Sequence, residues 1–150
     1  MGTVLTIDDS LWPLVIYRLQ GVMTDAQCQE LMERTNAFLA RPERYVCVAD
    51  LSGAGIAPTE QRRVLADWIR GLQPVIRERV QAHVTLITSA PIRLVVSAIF
   101  HLRPLPVPHI TAAHMDAALP FVLAQLRDAG RQDEADLIQL RLDARHVNAG

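Results

Sequence analysis

The sequence predicts an α/β domain: a mixed sheet of about five strands with an antiparallel first strand, about four helices, and an extra helix at the C-terminal end. Three observations predict it. From residue 14 to residue 128, short β-branched runs alternate with longer segments whose apolar residues return every three or four positions. The runs YVCVADL and AHVTLIT are apolar almost throughout, as strands buried on both faces of a parallel sheet are. Between the first two runs lies Asp8-Asp9-Ser10, turn chemistry that allows an antiparallel pair.

Each element follows from local chemistry. TVLTI (3–7) and LVIYRLQ (14–20) have strand composition. Thr24 with Gln27 is a capping-box pair, and Cys28, Leu31, Met32, Thr35, Phe38 and Leu39 follow at helical spacing, predicting a helix over 24–40. After the strand YVCVADL, Pro58 suits a helix start, and Val64, Leu65, Trp68, Ile69, Leu72, Val75 and Ile76 carry that helix to about 79, with Gly71 and Pro74 as candidate kinks. AHVTLIT is the next strand. Ser89 then caps a helix over Ile92–Leu102, and PHITAA gives a short strand. The segment 115–128 reads as a fourth helix, which Pro120 should bend or delay. Residues 1–130 are expected to form one domain, and 131–150 a more polar, helical extension.

Composition narrows the function. A chain of 150 residues, half of them apolar, can bury ~70% of its unfolded surface without metal or disulfide staples. Its formal net charge of −1 offers no electrostatic case for nucleic acid. All fifteen basic residues are arginine, which removes Schiff-base chemistry and the P-loop lysine. Cys28 and Cys47 lack the spacing of a zinc or redox pair, and neither a cleavable leader nor a transmembrane stretch is evident, so a reducing cytoplasmic setting is expected.

The stretch ADLSGAGIAPTEQRR (49–63) is the richest in functional signals. It joins a strand to a helix, and in an open α/β sheet that edge is the usual ligand crevice. Asp50, Ser52, Gly53, Gly55 and Thr59 form a candidate regulatory loop: the glycines allow backbone turns, and N–H groups at the helix start attract negative charge. The spacing matches neither a P-loop nor a dinucleotide fingerprint.

Strand, DLSG, a short hydrophobic link and helix together resemble the STAS domain, the fold of bacterial anti-anti-sigma factors, over residues 3–128. In that family a serine in an Asp-Ser-Ser-Gly link is phosphorylated by a partner kinase to release a bound anti-sigma factor. The resemblance places Thr59 at the phosphoacceptor position within Pro58-Thr59-Glu60-Gln61. The aspartate, second serine and glycine are replaced, so the loop is a degenerate version. IFHLRPLPVPHITAAHMDAAL also resembles uncharacterised bacterial proteins described as STAS/SEC14-like, which implies the fold and carries no activity.

Other constellations are weaker. His101, His109 and His114 match no ligand spacing, so no metal or other cofactor is expected. No nucleophile with an adjacent base is visible. Arg63, Arg70 and Arg77 recur every seven residues, a stripe that can grip an acidic partner or remain a solvated face. LVVSAIF (94–100) is apolar on nearly every side, so Val95, Val96, Ile99 and Phe100 need a cover: residues 131–146, a second copy of the chain in a homodimer, a protein partner or an acyl chain. The sequence thus predicts a non-enzymatic, STAS-like regulatory module that binds a protein. The alternative is a carrier of a small apolar ligand such as a lipid acyl chain, and an enzyme ranks third.

Overall fold

The computed structural model describes residues 3–102 and 104–149. Strands β1 (Val4–Leu11) and β2 (Leu14–Gly21) precede helix α1 (Asp25–Leu39), strand β3 (Tyr45–Ala54) and helix α2 (Thr59–Arg79). Strand β4 (Val80–Leu86), helix α3 (Ala90–Leu102), strand β5 (His109–Ala112) and helices α4 (Met115–Asp128) and α5 (Gln132–Ala149) complete the described chain. The strands form one mixed sheet in chain order, antiparallel between β1 and β2 and parallel from β2 to β5. The predicted α/β class and antiparallel first strand are found.

Local chemistry accounts for the boundaries. The Thr24 hydroxyl accepts the Gln27 backbone N–H at 3.1 Å while the Gln27 side chain accepts the Thr24 N–H at 2.9 Å, the predicted capping box of α1. The first turn differs from expectation. β1 continues through Asp8, Asp9 and Ser10, its register shifts between Asp8 and Leu11, and the chain turns instead at Trp12–Pro13, whose peptide bond is cis. Asp8 accepts from both the Ser10 backbone N–H (2.9 Å) and the Ser10 hydroxyl (2.6 Å). The turn-forming residues therefore stabilise an irregularity inside the strand rather than its end. α4 runs from Met115 straight through Pro120, which does not delay its start.

Strand order decides which face each helix covers. With β2 to β5 in sequence and right-handed crossovers, α1, α2 and α3 must all lie on one face of the sheet. The other face is left for the elements after β5. There Val46, Val48, Val84 and Leu86 pack against Val122 and Leu126 of α4 and Ala135 and Ile138 of α5. On the crossover face, Val15, Tyr17 and Tyr45 pack with Phe38 of α1 and Ile76 of α2. Residues 131–146 therefore cannot cover α3: this one of the four candidate covers lies across the sheet from it.

Gly53 and Gly55 also have a different role from the one expected. Positive φ is confined, among the described residues, to Gly21 and Gly130. Gly53 extends β3 by pairing with Gln20 of β2, and a Cβ there would meet Gln20 Cγ at 3.1 Å. At Gly55 a Cβ would stand 2.8 Å from Val22 Cγ2. Close approach by the chain at the end of β2, not a turn, disfavours a side chain at Gly55 and crowds one at Gly53. Gly71, inside α2, has no neighbouring atom within 4 Å of a built Cβ. Urea denaturation should accordingly show Gly71→Ala raising stability by about 0.5–1 kcal/mol, the helical gain of alanine over glycine. Gly55→Ala should lower it by about 1–3 kcal/mol, the usual scale of a steric insertion.

Candidate functional site

The two faces of the sheet are filled unequally. On β3, Val46 and Val48 point toward α4 and α5, whereas Cys47 and Ala49 point toward the crossover helices; on β4, Val84 and Leu86 oppose His83 and Thr85 in the same way. Branched side chains therefore serve one face and small or polar ones the other. Beneath α1, α2 and α3 this leaves a cavity of about 280 Å³. That volume is close to the lower end of ligand pockets, ~300 Å³.

The walls are largely apolar. Tyr17, Cys47, Ala49, His83 and Thr85 form the floor, Leu65, Ile69 and Leu72 of α2 one wall, and Val95, Val96, Ile99 and Phe100 of α3 another. The last four are the residues for which the sequence demanded a cover; all of them line the cavity, and Val95 and Ile99 also border the groove outside it. Leu94, by contrast, is 72% exposed. The aromatic cluster of Trp12, Phe38 and Tyr45 packs at the α1 end, with ring centroids 5.1 to 6.1 Å apart and the Arg41 guanidinium 4.3 Å above Trp12.

Floor groups that can carry charge are held neutral at pH 7. Burial pushes the Cys47 thiol up to about 12. Burial, reinforced by His109, pulls the His83 imidazole down to about 4. His83 stacks edge-on to Phe100 at 5.9 Å, and its Nδ1 lies 3.5 Å from the Thr85 hydroxyl. Tyr17 shares a 2.7 Å hydrogen bond with Thr35, and burial raises its phenol further above the ordinary value. Cys47 and His83 are cross-strand partners in register, yet no hydrogen bond joins them among the described residues. A protonated thiol beside an uncharged imidazole to which it is not bonded is not an activated nucleophile. Sequence reasoning passed over His83, since a lone strand histidine belongs to no motif; its parity with Cys47 was the available signal.

The loop residues sit at the carboxyl edge of the sheet, beside one end of the cavity. Asp50 accepts from the Ser52 N–H (3.1 Å), the Ser52 hydroxyl (2.6 Å) and Arg18 Nε (3.2 Å). Although burial raises its pKa, these bonds outweigh burial and leave it below the ordinary carboxylate value. Asp50 and Ser52 therefore brace each other. Gly55 and Ala57 line the cavity, and exposed Thr59 begins α2, where its hydroxyl accepts from Arg62 Nη2 at 3.1 Å. Pro58 is the N-cap residue and offers no side-chain cap.

Further out, Arg63, Arg70 and Arg77 are exposed, and Arg63 is bound to Glu60 one turn away at 2.5 Å. Thr59, Arg63, Asp67, Leu94 and Ala98 border an open groove of about 620 Å³ between α2 and α3. His101, His109 and His114 are exposed and do not converge; no group of three metal-ligating side chains occurs among the described residues. No described helix is long and apolar enough to cross a membrane.

No model of a known protein family matches the sequence, and no curated protein matches it. Solved structures do. The chain is similar to an uncharacterized protein of the DUF3478 family with a SpoIIAA-like fold from Shewanella loihica PV-4, with a TM-score of 0.57, 11% identity, and 81% of this chain and 94% of that one covered. It is also similar to an anti-sigma factor antagonist from Mycobacterium paratuberculosis, at a TM-score of 0.49 and 15% identity, again with 81% and 94% covered. At such identities the first likeness establishes fold: the chain has the STAS-like, SpoIIAA-like α/β architecture.

The neutral His83 has a measurable consequence. The unfolded chain takes up a proton at this residue near pH 6.5, the folded chain only near pH 4. Its contribution to stability is complete above pH 6.5 and is lost as pH falls toward 4. Urea midpoints between those limits should fall less steeply for His83→Gln than for the wild type; parallel pH profiles would place His83 in solvent.

Proposed function

We propose that this domain is a STAS-type regulatory module without catalytic chemistry of its own, and that its ligand is a small apolar molecule held between the sheet and α1, α2 and α3. One observation carries the reading: the cavity of about 280 Å³, apolar on nearly all its surface, beneath three helices. Apolar walls facing one another across such a space gain dispersion contacts from an apolar occupant. A hydrocarbon chain supplies those contacts with no polar group to desolvate. The absence of an activated Cys47–His83 pair argues against hydrolytic or transfer chemistry on the floor.

The protein-binding reading is supported by a separate observation. Leu94, 72% exposed, and Ile56, 52% exposed, lie outside the cavity, and Leu94 borders the groove that also contains Thr59 and Arg63. In this reading a partner docks on the outer surface of α2 and α3, and ligand occupancy beneath those helices sets the surface it meets. Thr59 belongs to that outer surface as a degenerate phosphoacceptor. Arg70 and Arg77 extend it along α2, and a second copy of the chain is one candidate partner.

Cavity filling tests the ligand reading. Ala49→Phe projects a ring into open space and should keep the protein folded while reducing saturable binding of the neutral dye Nile red by about tenfold or more. Ala118→Phe, at a fully buried site on the opposite face, should instead lower stability by about 1–3 kcal/mol. If the wild type takes up no dye saturably, or Ala49→Phe binds it undiminished, the cavity holds no ligand and the outer groove remains as the binding surface.

A further inference from the structure

The cavity has one charged end. Among the described residues that line it Arg62 is the sole arginine, and none is an aspartate or a glutamate. Arg62 lies in the first turn of α2, at the carboxyl edge of the sheet, and borders both the cavity and the outer groove. Its Nη1 donates to the Ala57 carbonyl and its Nη2 to the Thr59 hydroxyl, each at 3.1 Å. Both partners are uncharged. Among the described residues Arg62 enters no salt bridge, while Arg63 beside it is neutralised by Glu60. A half-buried guanidinium whose described partners are all neutral is available to an anion, which it binds by charge-assisted hydrogen bonds.

The remainder of the cavity has the opposite character. Its α2 wall runs from Arg62 to Ile76, fourteen residues or about 21 Å at helical rise. Beyond Arg62 that wall presents Leu65, Trp68, Ile69, Leu72 and Ile76. Gln61, the polar residue beside Arg62 on this wall, donates its Nε2 to the Met23 carbonyl at 2.9 Å, while its buried Oε1 has no hydrogen-bond partner among the described residues. A cation at one end of an elongated apolar wall complements a molecule built the same way.

Resting on the cavity as the ligand site, the geometry points to a long-chain carboxylate, a fatty-acid-like amphiphile, with its head on Arg62 at the start of α2 and its tail directed toward Ile76. The N-terminal end of α2 adds N–H groups and a favourable dipole on the same side as the guanidinium. A neutral alcohol of equal length gains the same tail contacts without the charge-assisted bond. A cationic amphiphile meets Arg62 as a like charge.

The experiment compares dodecanoate, dodecanol and dodecyltrimethylammonium by displacement of Nile red, below the concentrations at which they self-associate. The wild type should prefer dodecanoate to dodecanol by about tenfold or more, the range of one charged hydrogen bond, and should bind the cationic compound most weakly. Arg62→Gln and Arg62→Met, the latter keeping an apolar stem, should bring dodecanoate and dodecanol to equal affinity. Arg62→Lys should keep the preference in part. Thermal unfolding of each variant establishes that it is folded, and the wild-type comparison needs no variant. Equal affinities in the wild type, or a carboxylate preference that survives removal of Arg62's charge, would overturn the head-group assignment while leaving the cavity as an apolar ligand site. Failure of all three compounds to displace the dye would overturn both.

Discussion

Everything in this molecule depends on the two-residue alternation of β3 and β4 and on which helices each set of side chains meets. Val46, Val48, Val84 and Leu86 meet α4 and α5 and form a closed core with Val122, Leu126 and Ile138. Cys47, Ala49, His83 and Thr85 meet the crossover helices with too little volume to fill the same depth. Sequential strand order forces three helices onto this less filled face. Their ends are propped: Phe38 and Tyr45 pack with Trp12 at one end, and Gln61 is bonded to the Met23 carbonyl at the other. Large side chains at the ends hold α2 above small ones in the middle. The cavity is what those supports leave between them.

Local features of this arrangement were legible in the sequence because their chemistry is local. The capping box of Thr24 and Gln27, the two buried-type strands and the helix after Pro58 each rest on contacts within a few residues. The Asp8-Asp9-Ser10 turn was misplaced for an equally physical reason: Asp8 makes the same bonds to Ser10 in a strand irregularity as it would in a turn. Gly53 and Gly55 were recognisable as special, but what crowds a side chain there is the nearness of Gln20 and Val22, more than thirty residues earlier. The surplus apolar surface of α3 was equally plain. What covers it depends on face, and face follows from strand order, which periodicity does not encode. The small residues on one parity of β3 and β4 were in view throughout, without the topology that gives them meaning.

The chemistry of the site is one of restraint. His83 and Cys47 are kept uncharged, Asp50 is satisfied by Ser52 and Arg18, and Tyr17 is engaged by Thr35. These groups leave the floor without a free charge to repel a hydrocarbon and without a nucleophile to attack one. Polar character concentrates where α2 begins, at the carboxyl edge that α/β sheets commonly use for ligands. In this sheet the crevice continues inward as an apolar cavity. That continuity lets one element serve two surfaces, since residues along α2 line the cavity while Arg63, Arg70 and Arg77 face outward.

The central claim is that the underfilled face of the sheet, and not the outside of the molecule, receives an apolar ligand. Backbone amide NMR of the full chain titrated with dodecanol tests it most directly. The account predicts saturable shifts centred on Cys47, Ala49, His83 and Val96, with little change at Val122, Leu126 and Ile138 across the sheet. Shifts that never saturate, or that centre on α4 and α5, would contradict it.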